Sequence, residues 1–259
     1  AIRMLQTWLH ALPFLLGAGF LTWLVSVQLR NVTIVDTLWS LMFVIAAFSY
    51  ASSTLPPGPR AQLVLVLVTV WGLRLAIYLG RRNFGHEEDR RYQKIRRRNE
   101  PGFAWKSLYL VFGLQALLAW VISLPLLGAI AGDASPLGWL DYAGAALCLV
   151  GLYFEAVGDW QLTRFKANPA NAGQVMDQGL WGLTRHPNYF GDFCVWWGFG
   201  LVALAAGAWW SLIGPALMSV LLLRVSGVTL LERNIGERRP GYAEYIRRTN
   251  AFFPGPRRP

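Results

Sequence analysis

Charge is scarce in these 259 residues: Asp, Glu, Lys and Arg together make up 15%, against 54% hydrophobic residues. That balance excludes a disordered chain and argues against an ordinary soluble domain. Acidic residues are the rarer sign, 14 against 24 Lys and Arg. Cysteine and histidine are few as well. Cys148 and Cys194 both lie inside apolar runs, no CxxC spacing exists, and His10, His86 and His186 are scattered. A disulfide framework and a structural zinc site are thereby excluded, and no metal site is expected. The glycine fingerprint of soluble dinucleotide-binding folds is missing too. Gly17-Ala18-Gly19 is followed by Thr22 where the third glycine would stand, and it sits within an apolar run. With neither tandem repeats nor a low-complexity linker, residues 1–259 read as a single membrane domain.

What the chain has instead is long apolar sequence and 13 Trp. Apolar runs recur from about Leu5 to Val27, Val35 to Tyr50, Ala61 to Gly80, Ser107 to Leu127, Trp139 to Trp160, Tyr189 to Ala206 and Trp210 to Leu231. Most reach the roughly 20 residues needed to cross ~30 Å of hydrocarbon. The fold class expected is an all-α integral membrane protein, a seven-transmembrane-helix bundle. The first run is too long for a cleavable signal peptide and lacks a small-residue cleavage site after it. Pro56-Pro57-Gly58-Pro59, Asn168-Pro169 and Pro254-Gly255-Pro256 mark loops and the tail.

The basic surplus is distributed unevenly. Nine Lys and Arg fall between Arg81 and Lys106, three between Arg164 and Arg185, and seven between Arg233 and Arg258. The connections near 52–60, 129–137 and 207–211 carry one basic residue, Arg60. Positive loops stay cytoplasmic, so the N-terminus is expected outside and the C-terminus inside. The net charge of +10 is thus a topology signal. Nucleic-acid binding, the other meaning of so basic a chain, has no legible module to support it.

Polar groups inside hydrocarbon are costly, and by default they mark function. Asp36 opens the second span, Arg74 and Tyr78 lie late in the third, and Glu155 and Asp159 sit one turn apart near the end of the fifth. Asn188, Tyr189 and Asp192 open the sixth, and Arg224 falls late in the seventh. On the expected topology, all of these occupy the cytoplasmic leaflet. They describe a polar pocket opening to the cytoplasm, whose basic surroundings favour an anionic soluble partner such as a phosphorylated nucleotide. The other substrate would be lipid-like and enter from the bilayer. The densest signal is Leu183-Thr184-Arg185-His186-Pro187-Asn188-Tyr189-Phe190-Gly191-Asp192, which gathers a cation, an imidazole, an amide, a phenol and a carboxylate at the mouth of a span.

The run Gly179-Leu180-Trp181-Gly182 through Asp192 resembles the C-terminal signature of membrane steroid 5α-reductases and their bacterial relatives. Gly158-Asp159-Trp160-Gln161 and Lys166 upstream support the resemblance. So do Leu231-Glu232-Arg233, Arg239-Pro240-Gly241-Tyr242-Ala243-Glu244-Tyr245 and Phe252-Phe253-Pro254 downstream. Val35-Asp36-Thr37-Leu38-Trp39 and Glu88-Asp89-Arg90-Arg91-Tyr92 are typical of the bacterial branch. The resemblance implies seven helices in the bacterial inner membrane, NADPH as cofactor, and reduction of the C4–C5 double bond of a 3-oxo-4-ene steroid or similar enone lipid. Hydride goes to the β-carbon and a proton to the α-carbon. Carried over by position, Asn188, Tyr189 and Asp192, with Arg185 and His186 beside them, hold the nicotinamide–ribose half. Asp159, Lys166, Arg224, Glu232 and Arg233 line the cofactor, with Tyr242 and Tyr245 closing the cytoplasmic side. The loop Arg90–Arg98 is the richest source of an arginine that would prefer NADPH to NADH.

The substrate side departs from the animal enzymes. They carry a Gln-Glu pair on the second helix and a tyrosine on the third, where this chain offers Asp36 and Trp39, then Trp71 three residues before Arg74. These four are the candidate catalytic residues, within an expected substrate side of about 5–128 facing a cofactor side of about 139–259. A protonated Asp36 would donate to the substrate ketone, with an Asp36–Arg74 ion pair as the structural alternative. Membrane methyltransferases for isoprenylcysteine or phospholipid share the Arg-His-Pro-x-Tyr segment but bind S-adenosylmethionine. They usually carry a Glu-Glu pair where this chain has Leu231-Glu232. No obligate protein partner is evident.

Overall fold

In hydrocarbon a backbone must satisfy its own hydrogen bonds, and a helix does so within one segment. In the computed structural model, which describes residues 2–54, 56–132, 135–225 and 241–258, the regular structure is helical and no described residue lies in a strand. In chain order the helices are α1 (Ile2–Leu29), α2 (Ile34–Ser52), α3 (Pro59–Asn83), α4 (Arg90–Asn99), α5 (Phe103–Ile122) and α6 (Leu124–Ala131). They continue as α7 (Trp139–Ala167), α8 (Pro187–Ala205), α9 (Trp209–Val225) and α10 (Tyr242–Arg248). Five of them, α1, α2, α3, α5 and α7, are long and apolar enough to cross a membrane. The protein is therefore an all-α, multi-pass membrane protein.

The sixth and seventh expected spans fall short of that standard for separable reasons. α8 has 19 residues, but Pro187, Asn188, Tyr189 and Asp192 dilute its first half. The seventh run continues past α9 to Leu231, and residues 226–240 lie outside the described ones. The fourth run is not one helix. Pro125 lacks an N–H and crowds the carbonyl four residues back, so α5 stops at Ser123 and α6 starts at once, with Pro125–Ile130 all buried.

The chain divides into two compact units, Ala1–Asp141 with Val202–Gly214, and Tyr142–Leu201 with Pro215–Pro259. In the first unit α1 and α5 run antiparallel. Trp23 Nε1 donates to the Ala104 carbonyl at 2.7 Å at one end. At the other, the Trp8 and Trp120 rings stack 3.8 Å apart, each indole donating to the other residue's carbonyl. α2 and α3 touch closely where Ser40 Oγ donates to the Gly72 carbonyl at 2.9 Å, and a Cβ on Gly72 would come within 2.6 Å of the Val44 side chain. Away from these contacts α3 exposes Val66, Val70, Leu73 and Ile77, a stripe at helical spacing that suits lipid.

Two ion-pair clamps hold the connections of the first unit. Arg60, in the first turn of α3, donates Nε and Nη2 to the two Asp141 oxygens at 2.7 and 3.0 Å, with both side chains buried. The second clamp joins the α1–α2 turn to α4. Val32 N donates to Glu88 Oε1 at 2.9 Å, and Asp89 N donates to Thr33 Oγ1 at 2.9 Å. Arg96 holds Glu88 through two bonds of 2.8 Å. Asp89 caps α4 by accepting from Arg91 N at 2.8 Å, a standard way to satisfy an orphan donor at a helix start.

Candidate functional site

The chemistry-bearing side chains of the second unit are placed by a glycine seam. Gly144, Gly151 and Gly158 on α7 recur every seven residues, as do Gly191 and Gly198 on α8. A Cβ on Gly151 would fall on the Gly191 carbonyl oxygen, and one on Gly191 would fall on the Gly151 carbonyl oxygen. A Cβ on Gly198 would lie 2.6 Å from the Gly144 carbonyl oxygen. The two backbones therefore touch, as small residues allow between membrane helices. Cys148 completes the seam by donating its thiol to the Val195 carbonyl at 3.3 Å.

This register brings the end of α7 against the start of α8. Gly158 packs on Pro187, whose Cγ would lie 3.2 Å from an added Cβ. Asn188 Nδ2 reaches Asp159 Oδ1 at 3.4 Å, and Asn188 Oδ1 accepts from Tyr189 N at 3.0 Å. The His186 and Tyr189 rings stack with centroids 5.7 Å apart. Glu155, Asp159 and Asp192 are 2%, 3% and 8% exposed. Three buried carboxylates, an amide and an imidazole thus occupy the same junction. Five residues expected to meet (Asp159, His186, Asn188, Tyr189 and Asp192) lie together there.

The turn before α8 is fastened from both sides. Trp181 Nε1 donates to the Gly158 carbonyl at 2.9 Å, and Leu180 N donates to Gln161 Oε1 at 3.0 Å. Gly179 has φ +60, a left-handed conformation suited to glycine. On its other side lies the tail. Thr184 Oγ1 donates to the Phe252 carbonyl at 2.7 Å, Tyr245 Oη to the Trp181 carbonyl at 2.6 Å, and Gly255 N to the Leu183 carbonyl at 3.1 Å. Phe252 inserts its ring beside Phe190 and Phe193.

Arg185 and Tyr245, both expected to face a cofactor, are engaged in this docking. Arg185 Nη1 donates to the Ile246 and Thr249 carbonyls at 3.1 and 2.6 Å, and its main-chain N donates to Asn250 O at 2.9 Å. A guanidinium on the last carbonyls of α10 is a C-terminal cap. Burial, with Tyr242 5.7 Å away, pushes the Tyr245 hydroxyl up, so it stays a donor. Tyr242 is buried beside it. Lys166 and Arg224 are exposed, at the end of α7 and in the last turn of α9. Glu232 and Arg233 lie outside the described residues.

In the first unit Asp36 is held at both carboxylate oxygens. Its Oδ2 accepts from Arg91 Nη2 at 2.9 Å and its Oδ1 from the Tyr92 hydroxyl at 2.6 Å. Both Asp36 oxygens are thus engaged by α4. The guanidinium that reaches it is Arg91, from the basic loop. Gln115 extends the chain, donating Nε2 to Tyr92 Oη at 3.3 Å. Burial and the Asp36 charge raise the Tyr92 phenol. Burial works against the charge on Arg91, but the Asp36 carboxylate and the Asp89 hydrogen bond outweigh it, raising the guanidinium further. Trp39 stands edge-on to Phe43 at 5.0 Å, and Phe43 contacts the buried Trp71 at 5.9 Å. The guanidiniums of Arg74 and Arg82 each lie 5.8 Å from the Tyr78 ring. Arg91 was expected only as one of the Arg90–Arg98 loop cations, and Tyr92 and Gln115 not at all. The signal for the first two was the Glu88–Tyr92 motif, and for Gln115 an amide inside an apolar span.

No group of three or more His, Cys, Asp or Glu suited to a metal occurs among the described residues. No solved structure matches the chain. An uncharacterized protein of Schizosaccharomyces pombe is 24% identical over 93% of this chain and 80% of its own length. The family described as "Protein of unknown function (DUF1295)" matches residues 22–249. The chain therefore belongs to the DUF1295 family, membrane proteins related to steroid 5α-reductases.

Proposed function

We propose that this protein is a seven-span, NADPH-dependent reductase of an enone lipid, a 3-oxo-4-ene steroid or a compound like it. It would sit in a bacterial inner membrane with its nucleotide side cytoplasmic. The observation that carries the reading is the junction of α7 and α8, where Asp159, Asn188 and Asp192 are held within one packed seam. Carboxylates suit ribose hydroxyls, and an amide that donates and accepts at once suits a carboxamide. Lys166 and Arg224, exposed at the ends of their helices, supply the cations that a diphosphate needs. The residues present thus fit a pyridine dinucleotide. When bound, NADPH would supply the hydride.

The protein's own part is to orient, polarise and exclude water. Asn188 and Asp192 would orient the nicotinamide end, and His186 stacked on Tyr189 would wall it. On the substrate side, Asp36 is assigned a positioning role through Arg91 and Tyr92. Trp39 and Trp71 supply apolar surface, and Arg74 the positive charge facing the developing oxyanion. The Arg-His-Pro-x-Tyr segment also suits a methyltransferase that uses S-adenosylmethionine. Thermal unfolding of the detergent-purified protein with NADPH, NADH or S-adenosylmethionine separates the two, because a ligand of the native state raises its stability. The reductase reading expects NADPH to raise Tm most. A rise with S-adenosylmethionine and none with NADPH refutes it.

A further inference from the structure

The basic loop between α3 and α5 holds more arginine than its internal contacts use. Arg91 and Arg96 point inward, to Asp36 with Asp89 and to Glu88 respectively. Arg90, Lys94, Arg97 and Arg98 are exposed, and their side chains make no ion pair or hydrogen bond with any described residue. At 3.6 residues per turn these four share one stripe, opposite the side that carries Tyr92 and Ile95. That opposite side is packed against Trp23, Val32, Val35, Phe103, Val111 and Phe112. α4 is thus a short amphipathic helix with its apolar face already covered and its cationic face left over. Just ahead of α4 in the chain, the lipid-suited stripe of α3 runs on into exposed Arg81, then Phe84, which is 87% exposed. A bare phenyl next to guanidiniums at the end of a membrane helix belongs at a headgroup boundary, where apolar and anionic groups meet.

We infer that the outward face of α4, with Arg81 and Phe84, is a docking surface for the anionic phospholipid headgroups of the surrounding leaflet. Each Lys or Arg near such a surface strengthens attachment by a factor of about five, and the attraction fades over a Debye length of ~8–10 Å. Lipid bound there would also steady the Asp36 clamp, because the same helix carries both faces.

The test is thermal unfolding of the full chain in neutral detergent with added phosphatidylglycerol or phosphatidylcholine, at low and high salt. Phosphatidylglycerol should raise Tm and phosphatidylcholine should not, and 0.5 M salt (roughly 4 Å of Debye length by interpolation) should abolish the difference. The variant Arg90→Gln/Lys94→Gln/Arg97→Gln/Arg98→Gln should raise the lipid concentration needed by on the order of several hundredfold, four factors of about five. The charge-keeping variant Arg90→Lys/Arg97→Lys/Arg98→Lys should retain it, which separates loss of charge from loss of fold. An equal shift with both lipids, or an unchanged phosphatidylglycerol shift in the glutamine variant, overturns the inference. So does protection by soluble polyglutamate without protection by phosphatidylglycerol, which would mark an acidic protein surface as the partner. A lost preference for NADPH over NADH with lipid response intact assigns the stripe to nucleotide instead.

Discussion

Asn188 and Asp192 stand one turn apart at the opening of α8, and the proposed nucleotide site stands or falls with them. Asn188→Ala removes the group that contacts Asp159, and Asp192→Ala removes a carboxylate 8% exposed. Each should abolish the NADPH-dependent rise in Tm while leaving a cooperative unfolding transition without ligand. Full NADPH affinity in either variant would move the cofactor elsewhere. Arg60 makes a contrasting case. It was the one basic residue in the connections expected outside, and the structure accounts for it through Asp141. Arg60→Met leaves a buried carboxylate unpaired and should cost about 3–5 kcal/mol. Arg60→Met/Asp141→Leu should recover most of that loss, because an apolar pair of similar volume replaces both charges. Chemical denaturation of both variants checks this.

At the scale of elements, α4 is held by charge and the α7–α8 pair by contact. Burial pushes Glu88 up, but hydrogen bonds from Arg96 and Val32, with the Arg96 charge, hold it below the usual carboxylate range. Burial likewise opposes the lowering of Asp89, and Arg91 overcomes it through hydrogen bonds and charge. Carboxylates with depressed folded values stabilise fully above their unfolded values of about 3.9–4.3, and that stability goes as pH falls through the folded ones. Proteolysis or amide exchange in the 86–99 segment should therefore rise selectively below about pH 4. Asp36→Asn should loosen the segment already at neutral pH, by about 1–3 kcal/mol for the lost charged hydrogen bonds. Unchanged exchange there would deny the clamp. For the seam, Gly151→Ala inserts a methyl where the Gly191 carbonyl stands. Overpacking of this kind costs about 1–3 kcal/mol, and it should also weaken NADPH binding by moving Asp159 from Asn188. The matched control is Gly17→Ala, at a glycine where an added Cβ would meet nothing within 4 Å.

At the scale of the whole molecule the question is sidedness. Cysteines placed at Ser53 and Arg98 test it against the buried native Cys148 and Cys194. In inside-out and right-side-out vesicles, Ser53→Cys should react with a membrane-impermeant thiol reagent only from outside, and Arg98→Cys only from the cytoplasm. The reverse pattern would invert the topology and place the basic stripe of α4 on the wrong side for the proposed reductase.

Periodicity and composition were enough to read the helical membrane class, the positions of α1, α2, α3 and α7, and the α7–α8 junction. Apolar length is a property of one segment, and a polar residue inside it is conspicuous wherever the helix packs. The break at Ser123 was not read: Pro125 is a local signal, but it lies inside one continuous apolar run from Ser107 to Leu127. What a one-dimensional reading does not contain is the choice of partner. Arginines at both 74 and 91 are available to Asp36 along the chain, and only folding, which lays α4 on the α1–α2 turn, brings Arg91 to it. That the docked tail brings the Ile246 and Thr249 carbonyls, 61 and 64 residues further along, to Arg185 is likewise not written in the segment around it. The residue type sets what a group can bond; the tertiary contact decides which bond it makes, because a buried charge takes the partner that packing brings within reach.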